Sequence, residues 1–435
     1  MSVPAAPSTA RVTVVGLLSL AVAMGIGRFV MTPLLPMMRD DGSLAVVEAG
    51  WLAAAHFLGY WLGAVTVAWP AMAPRGQLRA ALLAVAVATL GMGLTDDFHA
   101  WLVLRGLAGV ASAWVLILVG NHAVGYLAAV GRPMRRGWVF AGVGFGIMLA
   151  GLGCLALMWG GIASARAWQV IGGVTGIAAA VLCLVLGPEY PAARPAMARR
   201  GTRRRPLDWR LVVAYGAMGT GYIVPATYLP LMAQAAAPAP LVFGWAWPVF
   251  GAAAMVSTVL AQRLLRHMAG RRLWAFCQVV MAAGCLMPAV WPGFMALIAG
   301  GLAVGGSFMV ITMASMTEAH RMAPPGDVGR HVAMLTAAFA TGQMIGPPAA
   351  GWLHELTGGF QVSLLATGVL LVLTAGLLLV GEAPLQQSDG TQRQRRQHQA
   401  GGGRPDHQVE RTGHLQQPAG ESRVEGGAEE IEGVE

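Results

Sequence analysis

Three ionisable side chains stand inside long apolar stretches of this 435-residue chain: Arg28, His56 and Arg105. Arg28 follows a glycine-rich step, Gly25-Ile26-Gly27, and His56 sits within Ala53-Ala54-Ala55-His56-Phe57. Arg105 opens Arg105-Gly106-Leu107-Ala108-Gly109. A guanidinium in an apolar medium carries five fixed donors and a permanent charge, which suits planar, bidentate capture of a carboxylate or phosphate. An imidazole, with an ordinary pKa of about 6.5, suits a proton carrier. Each residue also has a structural reading. Arg28 either contacts an anion in a central cavity or pairs with Glu48 or Asp41. His56 either carries a proton or is a hydrogen-bonded packing residue. Arg105, about 8 Å of helix inside its apolar run, either serves function or snorkels to the nearest polar surface.

The medium around these groups is set by composition. Apolar residues make up 56% of the chain and charged residues 11%. A soluble domain has about 45–50% and about 25%. Together with a mean hydropathy of +0.60, this excludes a soluble globular protein, a disordered chain and a nucleic-acid binder. Twelve apolar runs lie near 12–36, 47–70, 78–95, 100–125, 137–160, 167–187, 209–233, 242–266, 272–290, 294–317, 331–353 and 361–381. Each is close to the ~20 residues a helix needs to span a bilayer, and no strand-period alternation competes with them. The first run holds Arg28, ends at Pro33 and Pro36 and has no small-x-small cleavage site, so it reads as an uncleaved first transmembrane helix. Cys154, Cys183, Cys277 and Cys285 sit singly in apolar runs and form no C-x-x-C pair, so they read as small packing residues; no metal and no cofactor are expected.

All 29 basic residues are Arg. With the N-terminus inside, nineteen of them fall in inner segments, among them Arg75, Arg79, Arg132, Arg135, Arg136 and six between Arg194 and Arg205, against only Arg39 and Arg166 outside. That asymmetry places both termini on the cytoplasmic side of the membrane. Residues 188–208 are rich in Pro and Arg and read as a cytoplasmic linker between an N-terminal six-helix bundle (1–187) and a C-terminal one (209–381). Residues 382–435, nearly free of aliphatic side chains, read as a disordered cytoplasmic tail.

The two bundles are related. At an offset of 194, eight of the sixteen residues from Ala23 to Met38 recur between Ala217 and Met232. The same offset pairs Gly50-Trp51 with Gly244-Trp245 and Gly76 with Gly270, and an offset of 200 pairs Gly142 and Gly146 with Gly342 and Gly346. Six helices per copy give both copies the same sense in the membrane, a parallel repeat. The copies differ where chemistry is expected: Arg28 aligns with Tyr222, His56 with Phe250 and Arg105 with Gly300. The second copy offers Tyr222, Tyr228, Trp245, Gln278 and Gln343, and the first Tyr60, as candidate cavity-lining side chains. No Asp or Glu falls mid-membrane. Two intramembrane arginines without an acid suit an anionic solute, such as a carboxylate, and suit a cationic drug poorly.

Gly25-Ile26-Gly27-Arg28-Phe29, Thr32-Pro33-Leu34-Leu35-Pro36 and Ala49-Gly50-Trp51-Leu52-Ala53 together resemble the YbfB/YjiJ branch of the major facilitator superfamily. Arg105-Gly106-Leu107-Ala108-Gly109 is similar to that superfamily's helix-4 motif, which implies a coupling role for Arg105. The resemblance implies an all-α integral membrane protein of twelve transmembrane helices in two parallel-repeat six-helix bundles. It also implies a bacterial inner-membrane secondary transporter that moves a small solute, with protons, by alternating access; a monomer is expected. Gly25, Gly27, Gly342, Gly346 and Pro347 are then expected at bendable, closely packed helix contacts, and Gly76 and Gly270 at the inner gate. Ala73 occupies the Asp position of the superfamily's gate motif, and the second copy lacks that Asp too. Gly342-Gln343-Met344-Ile345-Gly346-Pro347 resembles an exporter motif, although exporters carry it on helix 5, so direction stays open. The rival readings are a membrane-embedded enzyme, for which there is no nucleophile–base pattern and no H-E-x-x-H, and a transporter-like sensor.

Overall fold

The computed structural model describes residues 7–67, 72–132, 134–186, 208–323 and 328–380. The expected linker, apart from Asp208, and the expected tail lie outside these. The described residues are helical and contain no strand. The helices are α1 (Thr9–Asp40), α2 (Val46–Thr66), α3 (Pro74–Gly91), α4 (Phe98–Ala129), α5 (Arg135–Trp159) and α6 (Ser164–Val185), then α7 (Trp209–Ala236), α8 (Pro240–His267), α9 (Gly270–Val290), α10 (Phe294–Met322), α11 (Val328–Thr357) and α12 (Gln361–Leu379). Eight of them are long and apolar enough to cross a membrane on their own composition. The other four, α2, α3, α7 and α11, have their hydropathy diluted by glycine, arginine and polar aromatic residues.

Their ends follow local chemistry. Ser8, Asp97 and Asp208 accept from the backbone N–H of Arg11 (3.2 Å), Ala100 (2.6 Å) and Arg210 (3.0 Å), capping α1, α4 and α7. Gly161 after α5 and Gly358 after α11 hold φ of +65° and +73°, a left-handed turn that a side chain would strain. The basic residues read as inner-loop charges have a second role. Arg11 and Arg79 donate to the last carbonyls of the α6 segment, Val185 O at 2.9 Å and Leu186 O at 2.7 Å. Arg210 and Arg271 do the same for Val380 O and Leu378 O at the end of α12. Cations at helix C-termini satisfy orphan carbonyls and offset the macrodipole. The two copies of the repeat therefore close their sixth helices in the same way.

Packing repeats as well. α1 packs on α5 as α7 packs on α11, α2 on α4 as α8 on α10, and α3 on α6 as α9 on α12. Between the two sets, α5 meets α8 and α2 meets α11. Small residues set these approaches. A methyl placed on Gly25 would stand 2.3 Å from Gly146 Cα, and one on Gly342 would stand 2.2 Å from Gly216 O. Gly342→Ala is thus expected to lower the melting temperature, by overpacking worth ~1–3 kcal/mol. Gly306→Ala, which meets nothing within 4 Å, is the control that should leave the melt of the purified protein unchanged. Around the outside, Leu184, Ile177, Val87 and Leu373 are exposed, the apolar girdle of a chain solvated by lipid.

Candidate functional site

The site is built where α1 departs from regular helix. Ala21–Gly27 form a π-helical stretch within α1. Such a stretch leaves carbonyls short of partners and often marks a functional position. Two side chains of α4 supply them. Arg105 donates to Gly27 O (3.1 Å) and Arg28 O (2.8 Å), and Ser112 donates to Ala23 O (2.9 Å). Arg105 is 3% exposed. Its fork is turned onto backbone, so it neither snorkels nor faces a carboxylate.

Arg28 follows this clamp directly and is 5% exposed. Its guanidinium carbon stands 5.1, 4.9 and 5.0 Å from the ring centres of Phe29, Phe57 and Tyr60, an aromatic cage that stabilises a cation by ~0.5–2 kcal/mol. Its Nη2 donates to the Tyr222 hydroxyl at 2.6 Å, while its Nε has no partner among the described residues. The pairing with Glu48 or Asp41 weighed from sequence is not made. The Glu48 carboxylate accepts from Ala45 N (2.8 Å) at the start of α2, and Asp41 accepts from Ser164 N (2.6 Å) at the start of α6. Both acids are spent on helix ends.

Arg28 and Tyr222 occupy the same place in the two copies of the repeat. Asp40 and Gln234 do too, and Gln234 donates to Asp40 at 2.7 Å. A residue that touches its own counterpart lies beside the axis relating the copies. The central charge is therefore held on the line about which the two sets of helices are arranged. Tyr222 is stacked on Phe308 (5.1 Å) and Phe339 (5.7 Å). Gln343 donates to its hydroxyl from behind, leaving Gln343 Oε1 without a partner among the described residues.

A central cavity of about 130 Å³ opens in front of this group. Arg28, Phe29, Tyr60 and Tyr222 form its closed end; Met24, Leu116, Phe140, Val143, Phe308, Met309, Thr312, Met313, Met316 and Phe339 form its walls, and Arg136 lies at the beginning of α5. No acid is among these residues. The cavity extends toward the end of the molecule where α1 begins and α12 finishes. At the opposite end the helices close: Tyr228 donates to Pro347 O at 2.8 Å and reaches Val46 O at 3.5 Å, tying α7 to α11 and α2. Gly50 of α2 is pressed on Pro347 O there, where a methyl would stand 2.8 Å away.

The other expected site residues are placed as follows. Tyr60 and Tyr222 line the cavity, whereas Tyr228 belongs to the closure and Gln343 stands behind Tyr222. Trp245 is 49% exposed at the start of α8, outside the cavity. Gln278 accepts from Trp274 Nε1 (2.7 Å) and donates to Thr374 Oγ1 (2.6 Å), tying α9 to α12 away from the cavity. The second-copy polar residues were thus expected at the cavity as a group, and packing has used most of them to join helices. His56 is fully buried, edge-on to Phe57 at 5.7 Å, and does not line the cavity. Gly27 packs on Val85, Gly346 on Val224 and Gly270 on the Glu318 carboxylate, while Gly76 has only Met72 near it. Arg271 N donates to Glu318 Oε1 (3.1 Å), and the Arg271 guanidinium pairs with Asp208 at 3.0 Å. The carboxylates missing from the second gate motif are thus supplied by α10 and by the residue preceding α7.

Sequence reasoning missed the walls. Met309, Met313, Met316, Phe308 and Phe339 look like any lipid-compatible residue of an apolar run, and Arg136 was one of many inner-segment arginines. Among the described residues, no group of three His, Cys, Asp or Glu side chains could hold a metal ion.

Twelve helices in a repeated arrangement around a central cavity define a transporter of the major facilitator type. Residues 20–379 match the family described as uncharacterised MFS-type transporter YbfB, and the chain belongs to that family. YceJ of Bacillus subtilis (strain 168), an MFS-type transporter, is 24% identical over 375 residues, covering 82% of this chain and 93% of that one. Solved structures share the fold at lower identity. A D-xylose-proton symporter superposes with a TM-score of 0.71 at 15% identity, over 85% of this chain and 97% of the other. The nucleoside transporter NupG (a D323A mutant) gives 0.66 at 12%, over 85% and 98%. The human organic anion transporter MFSD10 gives 0.60 at 15%, over 86% and 100%.

Proposed function

We propose that this protein is a proton-coupled secondary transporter of a small organic anion, with Arg28 as the anion contact. One observation carries the reading. A buried guanidinium with no carboxylate partner among the described residues stands at the closed end of a central cavity that no acid lines. Burying a charge without a counter-ion is costly, and a bound carboxylate would supply one. The fold does not choose the substrate, since its solved relatives are titled for a sugar, a nucleoside and an organic anion. The proton enters through charge balance, because an anion taken up against an inside-negative potential is opposed by ~2.3 kcal/mol per 100 mV.

The cavity opens, in this reading, to the cytoplasm of a bacterial inner membrane, as the arginine distribution places it. The orientation has a direct check. A cysteine replacing Asp96, in the α3–α4 connection, should react with a membrane-impermeant thiol reagent on intact cells. One replacing Arg132, in the α4–α5 connection, should react only after permeabilisation. The reverse pattern would invert the topology. For the substrate class, a thermal-shift screen of the purified protein against carboxylates and amines should give stabilisation by carboxylates. Stabilisation by amines alone would refute the anion site.

A further inference from the structure

We infer that the cavity takes a monoanion with an apolar body, a medium-chain or aromatic monocarboxylate rather than a hydroxylated acid or a dicarboxylate. The inference rests on the organic-anion reading and adds the rest of the molecule to it. The walls are the first argument. Beyond Arg28 they present Phe308, Met309, Met313, Met316 and Phe339, a thioether and aromatic surface that adapts to apolar shapes. The second is the shortage of free polar groups. Thr312 already donates to Phe308 O (2.9 Å), and the Tyr222 hydroxyl already accepts from Arg28 and Gln343, so the hydroxyl protons left to donate, those of Tyr222 and Tyr60, both stand beside Arg28 at the closed end. A polyol entering this cavity would trade its hydroxyl–water bonds for apolar contacts and leave hydroxyls unpaired.

The third argument is the spacing of the two helix positions that carry positive charge. α1 and α5 run parallel with Gly25 packed on Gly146. Arg28 is thus level with about residue 149 of α5, some thirteen residues or ~20 Å along the axis from Arg136. That is the spacing of the two backbones; the Arg28 guanidinium is fixed in its aromatic cage, so a short ligand held there sets its far end among the Met and Phe walls, where a second carboxylate would be poorly paired. Arg136, half-buried at the mouth, draws anions in by long-range attraction, and Arg28 alone holds the charged end. The carboxylate sits at the closed end with its apolar body extending back between Met309 and Met313.

The test is equilibrium binding to the full chain in lipid nanodiscs, measured by calorimetry with empty nanodiscs subtracted. The probes are benzoate, hexanoate, gluconate, succinate, xylose and hexylamine. Benzoate and hexanoate should bind at least tenfold more tightly than gluconate or succinate, and xylose and hexylamine should not bind. The double variant Met309→Asn, Met313→Asn should lose at least fivefold in benzoate affinity with gluconate within twofold of its original value. Equal or tighter binding of gluconate or succinate would overturn the apolar-body inference and leave the anion site standing. Preference for xylose or hexylamine over every carboxylate would overturn both, as would absence of binding to any carboxylate by protein that melts cooperatively.

Discussion

Arg28→Gln will abolish tight substrate binding without lowering the melting temperature of the protein. The two halves of that expectation come from one geometry. Arg28 is the charge at the closed end of the cavity, and its neighbours there are three aromatic rings and a hydroxyl. Removing it removes the partner of the anion, a charge-assisted contact worth ~1.5–3 kcal/mol, which is roughly a ten- to hundredfold loss of affinity. The folded protein loses little, because a glutamine amide can still donate to Tyr222 and a buried charge without a counter-ion is no longer held in an apolar site. Arg28→Lys keeps the charge but not the planar fork. It should fall between, with weakened affinity and residual transport at high substrate. Titration of binding alongside a thermal melt separates the cases. A variant that melts early with unchanged affinity would make Arg28 a structural residue.

Arg105→Lys will do the reverse, lowering the melting temperature and abolishing transport together. Arg105 spans two carbonyls of α1 at once, at Gly27 and Arg28. A lysine has the charge and lacks the fork, so at least one carbonyl of the π-helical stretch loses its donor. A buried carbonyl without a partner costs ~1–3 kcal/mol. The stretch can then relax toward regular helix, which rotates Arg28 and everything beyond it. Arg105 is thus a positioning residue for Arg28, not itself a contact to substrate. The signature is that Arg105→Lys should reduce the maximal rate and stability together, whereas Arg28→Lys chiefly raises the apparent KM. Ser112→Ala, which frees the single carbonyl of Ala23, should show the same pattern at smaller size.

The contrast between these two arginines also marks how far sequence could be read. Twelve helices, the repeat and the family were legible, because apolar runs of fixed length and an offset that pairs Ala23–Met38 with Ala217–Met232 are one-dimensional signals. Arg28, Tyr60 and Tyr222 stood out because an arginine, or an aromatic with a polar tip, is expensive or specific at membrane depth. What each arginine touches was not legible. Asp41 and Glu48 follow Arg28 closely in sequence and were weighed as its partners, but helix starts needed them more. Gln278 and Gln343 resembled cavity residues and turned out to be a helix tie and a brace, since a buried amide is used wherever a neighbouring helix offers a partner. The apolar walls gave no signal, because residues that face a cavity and residues that face lipid obey the same composition. The π-helical stretch of α1 likewise has no sequence signature beyond Gly25 and Gly27.

The most direct measurement is accumulation of labelled benzoate by proteoliposomes of the full chain under a pH gradient, acid on the outside, run in parallel with Arg28→Gln and corrected for passive diffusion in protein-free liposomes. The account predicts accumulation above the protein-free level that collapses when an uncoupler is added, and none above that level with Arg28→Gln. Accumulation that survives the uncoupler, or that Arg28→Gln sustains at the original affinity, would contradict it.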